Sequence, residues 1–183
     1  MKQNQKRIPP LQKDEWTEKQ RKQLEYAYKK GGFYNLAGTL ARYPEASRRL
    51  GQVSAHVLGP TSTLSARDRE LLILRTAWLC QAEYEWAQHR LIARKAGMTD
   101  EEIDRCGEGS DASGWTANEA SLLRAAEDLH TNQKISDANW ATLANTYNNQ
   151  QMMDIVFAVG QYTLFAMAMN SFGVPLDEGL QGF

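Results

Sequence analysis

Cysteine, histidine and proline are scarce in this chain, and neither sign of charge predominates. There are two cysteines, three histidines and five prolines in 183 residues. Cys80 and Cys106 lie far apart. Two thiols cannot make the disulfide framework of a small secreted scaffold, and free thiols in a reducing compartment are the expected state. Lys and Arg number 21 against 22 Asp and Glu, a net charge of −1. That leaves no electrostatic footprint for nucleic acid or an anionic membrane, so neither is an expected partner. No uninterrupted apolar run reaches the roughly 18 residues of a membrane span. Met1–Arg7 is basic and polar with no apolar stretch behind it, so no secretory leader is expected and the expected location is cytoplasmic. No glycine-rich phosphate loop or dinucleotide fingerprint is found, which removes the usual nucleotide cofactors. A di-iron bundle needs two Glu-x-x-His motifs and glutamates from two further helices. Glu127 and His130 supply one such motif, and Glu85 and His89 are one residue too far apart to supply the other. No metal and no cofactor is expected.

What the chain does have is helical periodicity. Apolar residues recur at helical spacing from Asp14 onward and no alternating strand stands out, so the expected fold class is all-α, a single domain over residues 14–183. Residues 1–13, with Pro9, Pro10 and several Lys, Arg and Gln, read as an extended arm that is ordered only where it docks. Helices are predicted from Glu15 to Lys30, with Gly31-Gly32 as the stop, from Tyr34 to Arg42, and from Pro44 to Leu58, where proline suits the first turn. Ser65 with Asp68, Thr99 with Glu102 and Thr116 with Glu119 have capping-box spacing. They open, in turn, a long stretch to Ala96, a short helix to Cys106 and a helix to His130. Gly107 to Gly114 is a polar loop. Helices from Ser136 to Tyr147 and from Gln150 to Phe172 follow. The last is the most apolar, with Met152, Met153, Phe157, Phe165, Met167 and Met169. It is expected to be central to the core or to a subunit interface.

One stretch interrupts the apolar pattern. Between the core-like segments Leu71–Leu79 and Leu91–Ala96 stand Glu83, Tyr84, Glu85, Trp86 and His89. On a helix, Glu85 and His89 are four residues apart and share a face. A buried carboxylate beside an imidazole is an acid–base pair: the carboxylate raises the histidine's proton affinity and orients its ring, and burial tunes both. On a solvated face the same pair would contribute only a few tenths of a kcal/mol. His89 and Glu85 are therefore candidate catalytic residues. Trp78, Glu83, Tyr84 and Trp86 are candidate substrate contacts, with the tryptophans expected as core or pocket wall rather than as specific contacts. His130 ends a helix, where a cationic ring favours the dipole. His56 reads as a surface or interface residue, and Cys106 as a small buried apolar one.

The residues Arg69-Glu70-Leu71, Ala82 through His89 and Gly97-Met98-Thr99 resemble the carboxymuconolactone decarboxylase family, which shares its fold with the alkylhydroperoxidase AhpD. Ile135-Ser136-Asp137, Gly160-Gln161-Tyr162-Thr163 and Asn170 through Pro175 add to the likeness, which spans most of the chain and implies an AhpD-like helical domain. The peroxidase branch of that family carries Cys-x-x-Cys-x-x-x-His with an upstream glutamate. With its histidine placed on His89, its cysteines fall on Ala82 and Glu85 and its glutamate on Glu70. The glutamate and histidine are present and both redox cysteines are replaced. Cys80 lies two residues before the first cysteine position and has no partner nearby in sequence. Disulfide-forming peroxidase chemistry needs a nucleophilic and a resolving thiol. The resemblance therefore implies the decarboxylase side: a cofactor-free acid–base carboxy-lyase acting on a small unsaturated carboxylic acid or lactone, of the kind met in aromatic catabolism. Two alternatives of other classes are a peroxide scavenger using Cys80 alone and an oligomeric scaffold without catalysis.

Glu70, added to the candidate catalytic set by the resemblance, poses a geometric problem. On one straight helix it would lie roughly 22 Å from Glu85. It joins the site only if the chain bends, and Leu79 to Ala82 is the expected place although no Gly or Pro marks it. Read plainly, Glu70 favours the helix dipole. In a decarboxylation His89 is the expected proton donor to carbon, with Glu85 orienting it or sharing the proton. Self-association is also expected, as a homotrimer or hexamer, because relatives of this fold assemble so and a domain this small has trouble covering so apolar a last helix. The Pro9-Pro10 arm would then cross to a neighbour.

Overall fold

The computed structural model describes residues 6–29 and 34–183. The expected stop at Gly31-Gly32 lies outside the described residues. Among those described there are helices and no strand. After a 3-10 turn at Lys13–Glu15 come α1 (Glu18–Lys29), α2 (Tyr34–Leu40), α3 (Pro44–Leu58), α4 (Ala66–Leu79), α5 (Glu83–Lys95), α6 (Asp100–Glu108), α7 (Ala117–Asn132), α8 (Asp137–Leu143) and α9 (Asn149–Phe172).

Local chemistry explains where these helices begin. Ser65 Oγ accepts from Asp68 N at the head of α4, and Thr99–Glu102 and Thr116–Glu119 form reciprocal capping boxes at the heads of α6 and α7. Glu102 and Glu119 do a second job. Both carboxylates receive the guanidinium of Arg67, from the first turn of α4, at 2.5 and 2.7 Å, so one cation gathers the N-termini of α6 and α7 onto α4. A further box, Asn148 with Gln151, starts α9 one residue before its predicted start. Ser136 differs: its side chain does not cap α8 but donates, together with its backbone N–H, to Asp128 on α7.

The predicted long stretch from Ser65 to Ala96 is two helices, and the bend falls at Cys80–Ala82. Ala82 N donates to Ala77 O at 2.8 Å and Gln81 N to Trp78 O at 3.0 Å, the two bonds of a Schellman ending. Gln81 takes the left-handed position, φ 51°, that glycine ordinarily fills. Its side-chain amide donates to Trp78 O, and Asn170 of α9 donates to Cys80 O. These extra bonds offset the roughly 1–2 kcal/mol that a non-glycine residue costs there.

The centre of the domain is α4, not α9. Every residue from Glu70 to Ala77 is buried, and the helix packs against α5, α6, α7 and α9. Helix α9 has two faces. Met152, Ile155, Val159, Tyr162 and Ala166 enter the core, whereas Met153, Phe157, Leu164 and Met167 are about half exposed. By length and composition α9 also qualifies as a membrane span, which corrects the expectation that no segment does. Its most apolar window is 56% buried inside the domain, as a core helix would be. The described part of the arm lies on its own chain: Arg7 N and Ile8 N donate to Phe172 O, and Leu11 N to Gly38 O.

Helix α3 is tied to α9 by a buried carboxylate. Asp154 Oδ1 bonds His56 Nε2 at 2.7 Å, and Oδ2 accepts from the N–H and hydroxyl of Thr63, both at 2.7 Å. His56, read from sequence as a surface or interface residue, keeps its side chain 40% exposed and also makes this tie. Burial raises the Asp154 pKa, but the Thr63 bonds and His56 outweigh it and hold the carboxyl below its ordinary 3.8. A depressed folded pKa stabilises above the unfolded value and is lost as pH falls through the folded one. Asp154→Asn, which keeps the shape and removes the charge, is expected to cost about 1–3 kcal/mol at pH 7. Urea titrations should show that deficit shrinking as pH falls below 3.8.

Candidate active site

The bend at Cys80–Ala82 turns α5 back along α4 and solves the distance problem of Glu70. Glu70 is fully buried in the second turn of α4, and its Oε2 lies 2.7 Å from His89 Nδ1 in the second turn of α5. The other Glu70 oxygen is 3.6 Å from Arg69 Nε. The ring of Tyr162, from α9, meets the His89 ring edge-on, centroids 4.7 Å apart and planes at 89°. With Nδ1 held by Glu70 and one side packed by Tyr162, the imidazole is fixed in orientation and keeps Nε2 for other partners.

The expectation that Glu85 orients His89 is corrected here. Glu70 takes that role, because the antiparallel return of α5 brings its carboxylate directly onto Nδ1. Glu85 is buried, and neither of its oxygens has a hydrogen-bond partner among the described residues. Burial alone pushes its pKa well above the ordinary 4.5, so the group favours the neutral acid. The Tyr162 hydroxyl is likewise pushed up by burial, with Glu70 and Glu85 adding to the effect, and stays a phenol.

Glu85 and His89 open onto one cavity of about 150 Å³. Its remaining walls are Leu36 of α2, Ser54 and Leu58 of α3, Tyr84 and Gln88 of α5, and Tyr162, Phe165 and Met169 of α9. An engineered apolar cavity of that size takes up benzene, so the space suits one small ring. Among the described lining residues no Arg or Lys is found.

The other predicted contacts divide. Tyr84 lines the cavity, and its hydroxyl donates to Asp177 Oδ2 at 2.6 Å. Trp78 and Trp86 do not line it. They pack against Phe183, centroids 5.0 and 5.6 Å away, the Trp78 ring edge-on and the Trp86 ring tilted. Glu83 is exposed beside Gly182. Helical spacing accounts for the split: Tyr84, Glu85, Gln88 and His89 share one face, and positions 83 and 86 fall off it.

Gln88 was missed, although it sits three and four residues from Glu85 and Tyr84 and that spacing was there to be read. Its amide N–H donates to Asp177 Oδ2 at 2.7 Å. Asp177, also missed, carries no local pattern, because it comes from the C-terminal tail. Its other oxygen accepts from Asn35 N at 2.9 Å, so one buried carboxylate joins the tail, α2 and the cavity wall.

The remaining candidates lie outside the cavity. Glu127 is taken up by Arg75 and Ser110. His130 Nδ1 is 3.7 Å from Cys80 Sγ. The Cys80 thiol is pushed up chiefly by burial, which disfavours the thiolate. Burial pushes the Cys106 thiol up to about 12, as suits a core residue.

A raised carboxyl pKa has a measurable consequence. The folded state holds the Glu85 proton more tightly than the unfolded chain, so the associated stability is present below the unfolded pKa and is lost as pH rises toward the folded one. Glu85→Gln removes that loss. Its melting temperature should gain on the unsubstituted chain steadily as pH rises above 4.5. A gap independent of pH would mean that Glu85 is ionised in the fold.

Residues 44–128 match the model of the carboxymuconolactone decarboxylase family. Among curated protein sequences none matches. Solved structures share the fold at low identity. An uncharacterized peroxidase-related protein from Ralstonia eutropha JMP134, described as an alkylhydroperoxidase AhpD core, has a TM-score of 0.83 at 18% identity over 94% of this chain and 92% of its own. An uncharacterized peroxidase-related protein from Silicibacter sp. TM1040 has a TM-score of 0.83 at 14% identity, over 97% and 94%. The debrominase Bmp8, in its apo form, has a TM-score of 0.77 at 13% identity, over 93% and 92%. The segment 44–128, which carries Glu70, Glu85 and His89, is thus similar to the carboxymuconolactone decarboxylase family, and the helical fold is AhpD-like.

Proposed function

We propose that the chain is an acid–base enzyme that moves protons on a small molecule held in the cavity between α3, α5 and α9. His89 Nε2 and the Glu85 carboxyl are the exchanging groups. Glu70 positions His89 and balances its charge when the ring is protonated. The observation that carries the reading is Glu85: a carboxyl with no hydrogen-bond partner among the described residues, buried in a mostly apolar wall beside a locked imidazole. Burying an unpartnered polar group costs on the order of 1–3 kcal/mol, and a site needed only for packing would take a leucine. A neutral carboxylic acid and an imidazole of fixed tautomer are the two forms that general acid–base catalysis needs near neutral pH.

The reaction in the family's name fits these groups. When an unsaturated lactone acid loses CO₂, the electron pair of the broken C–C bond passes into a conjugated carbonyl as a dienolate. A proton from His89 or Glu85 then closes the reaction on carbon. Moving a double bond uses the same two groups, one taking the proton and the other returning it. Two observations weigh against the thiol alternative: Cys80 does not line the cavity, and the net effect of its surroundings, burial above all, is to disfavour the thiolate.

The test is a screen of single-ring unsaturated lactones, lactone acids and enones, with CO₂ release and loss of the conjugated chromophore as readouts. On the substrate so found, His89→Gln and Glu85→Gln should each lower kcat by about 10²–10⁴. Cys80→Ser should leave turnover close to that of the unsubstituted chain. A folded Cys80→Ser protein without activity, or a Glu85→Gln protein with full activity, would overturn the assignment.

A further inference from the structure

Among the described residues, the cavity that holds Glu85 and His89 offers nothing to balance an anion. Helices α2 and α3 contribute Leu36, Ser54 and Leu58 to its wall, none of them ionisable. The phenols of Tyr162 and Tyr84 are kept neutral by burial. Behind Tyr84 and Gln88 stands the Asp177 carboxylate that both of them donate to, a negative charge one hydrogen bond from the ligand space. Arg69 does not line the cavity, and its guanidinium is set against Glu70, with Nε 3.6 Å from Oε1. Glu70 also answers any positive charge on His89. An ionised carboxylate entering here would leave water with no unspent cation to receive it. The neutral polar groups are largely spent too. Tyr84 and Gln88 serve Asp177, and the Ser54 hydroxyl donates to Leu50 O and accepts from Gln161 Nε2, both at 3.2 Å. The Glu85 carboxyl and His89 Nε2 are left to meet a ligand. Because Nδ1–H donates to the Glu70 carboxylate, Nε2 of the neutral ring carries the lone pair and acts as a base. Glu85, held as the neutral acid, is a donor. One donor and one base in a mostly apolar wall match a ligand with one acceptor oxygen and one acidic C–H.

We propose, resting on the acid–base reading above, that the substrate is an uncharged single ring bearing a carbonyl and a nearby C=C bond, and that the reaction moves that double bond without loss of CO₂. Glu85 donates its O–H to the carbonyl oxygen. His89 Nε2 takes a proton from the carbon between the carbonyl and the C=C bond, and the electron pair of the broken C–H bond passes into the carbonyl as a dienolate. The imidazolium so formed is balanced by Glu70. Nε2 then returns a proton to the far carbon of the dienolate, and the double bond has moved into conjugation. No electrons are gained or lost, so neither oxidant nor reductant is needed. A decarboxylase can seat a carboxylate against an apolar wall only by drawing on binding energy from the rest of its substrate. A cavity of about 150 Å³, room for one ring, leaves no remote part to supply it.

The test uses the unsubstituted full chain and two ring probes of similar size, 3-cyclohexenone and 3-cyclohexene-carboxylate, with binding read by ligand-observed NMR across a pH series. The ketone is expected to bind. The affinity of the carboxylate relative to the ketone should fall about tenfold for each pH unit above the acid's own pKa, because only the neutral acid is accepted. Taking the ratio of the two affinities cancels the titration of Glu85 itself. Conversion of 3-cyclohexenone to its conjugated isomer, followed by ultraviolet absorbance, should exceed the rate in buffer and be lost in His89→Gln. A carboxylate that binds as tightly as the ketone near neutral pH, a ratio that does not move with pH, or a ketone that does not bind would each overturn the proposed substrate class. Those outcomes leave Glu85 and His89 able to act as acid and base on an anion. A ketone bound in preference to the carboxylate yet isomerised no faster than in buffer would instead overturn the acid–base reading, and the double-bond step with it.

Discussion

The hydrogen bond between Glu70 and His89 is the contact around which the rest of the molecule is arranged. It joins two fully buried ionisable groups, which is tolerable only when each satisfies the other. To make it, the chain must leave α4, reverse within three residues and return with His89 opposite Glu70. The Schellman ending at Cys80–Ala82 supplies that reversal, and Gln81 accepts a backbone conformation that glycine would adopt more easily. The bond also sets the direction in which α5 presents its polar face, and so where the cavity opens.

Around this pair the domain divides its polar groups by purpose. Arg67 with Glu102 and Glu119, Arg75 with Glu127, and Asp154 with His56 and Thr63 are closed sets in which each charge is answered by neighbours. They position helices. Glu85 stands outside every such set, in a wall whose larger part is leucine, phenylalanine, methionine and tyrosine. The cavity takes walls from the consecutive helices α2 and α3 and from the distant α5 and α9. The Asp177 carboxylate then fixes two of its members, Tyr84 and Gln88, from the tail. A single buried anion accepting from Tyr84, Gln88 and Asn35 makes the closing of the tail and the shape of the cavity one structural event.

Much of the fold was legible locally. Capping spacings at Ser65, Thr99 and Thr116, proline at Pro44 and glycine at Gly97 mark helix ends because they act within one turn, through bonds between near neighbours in the chain. The interruption of an apolar helix by Glu85 and His89 was equally visible, since four-residue spacing on a helix is a local fact. The Gln81 turn was harder to see: its residue type does not advertise a left-handed conformation, and only the resemblance to a family pointed to a bend there. Trp78 and Trp86 show the opposite limit. Position in sequence placed them near the polar cluster, but helical phase turned them to the other side.

The sequence by itself determined an all-α domain, the starts and ends of most of its helices, and a carboxyl and an imidazole on one face of α5. Each of these follows from interactions within a few residues. Tertiary structure alone decided which carboxylate holds His89, because Glu70 and Glu85 differ only in what the return of α5 brings beside them. It likewise decided that α4 and not α9 is the buried axis. Both helices are apolar enough for that place, and only the packing of α5, α6 and α7 around one of them leaves the other with a face to the outside. Asp177 reaches Tyr84 across 93 residues, and no periodicity encodes a bond of that span. It exists because the folded chain returns to the cavity, where a buried phenol and amide need an acceptor.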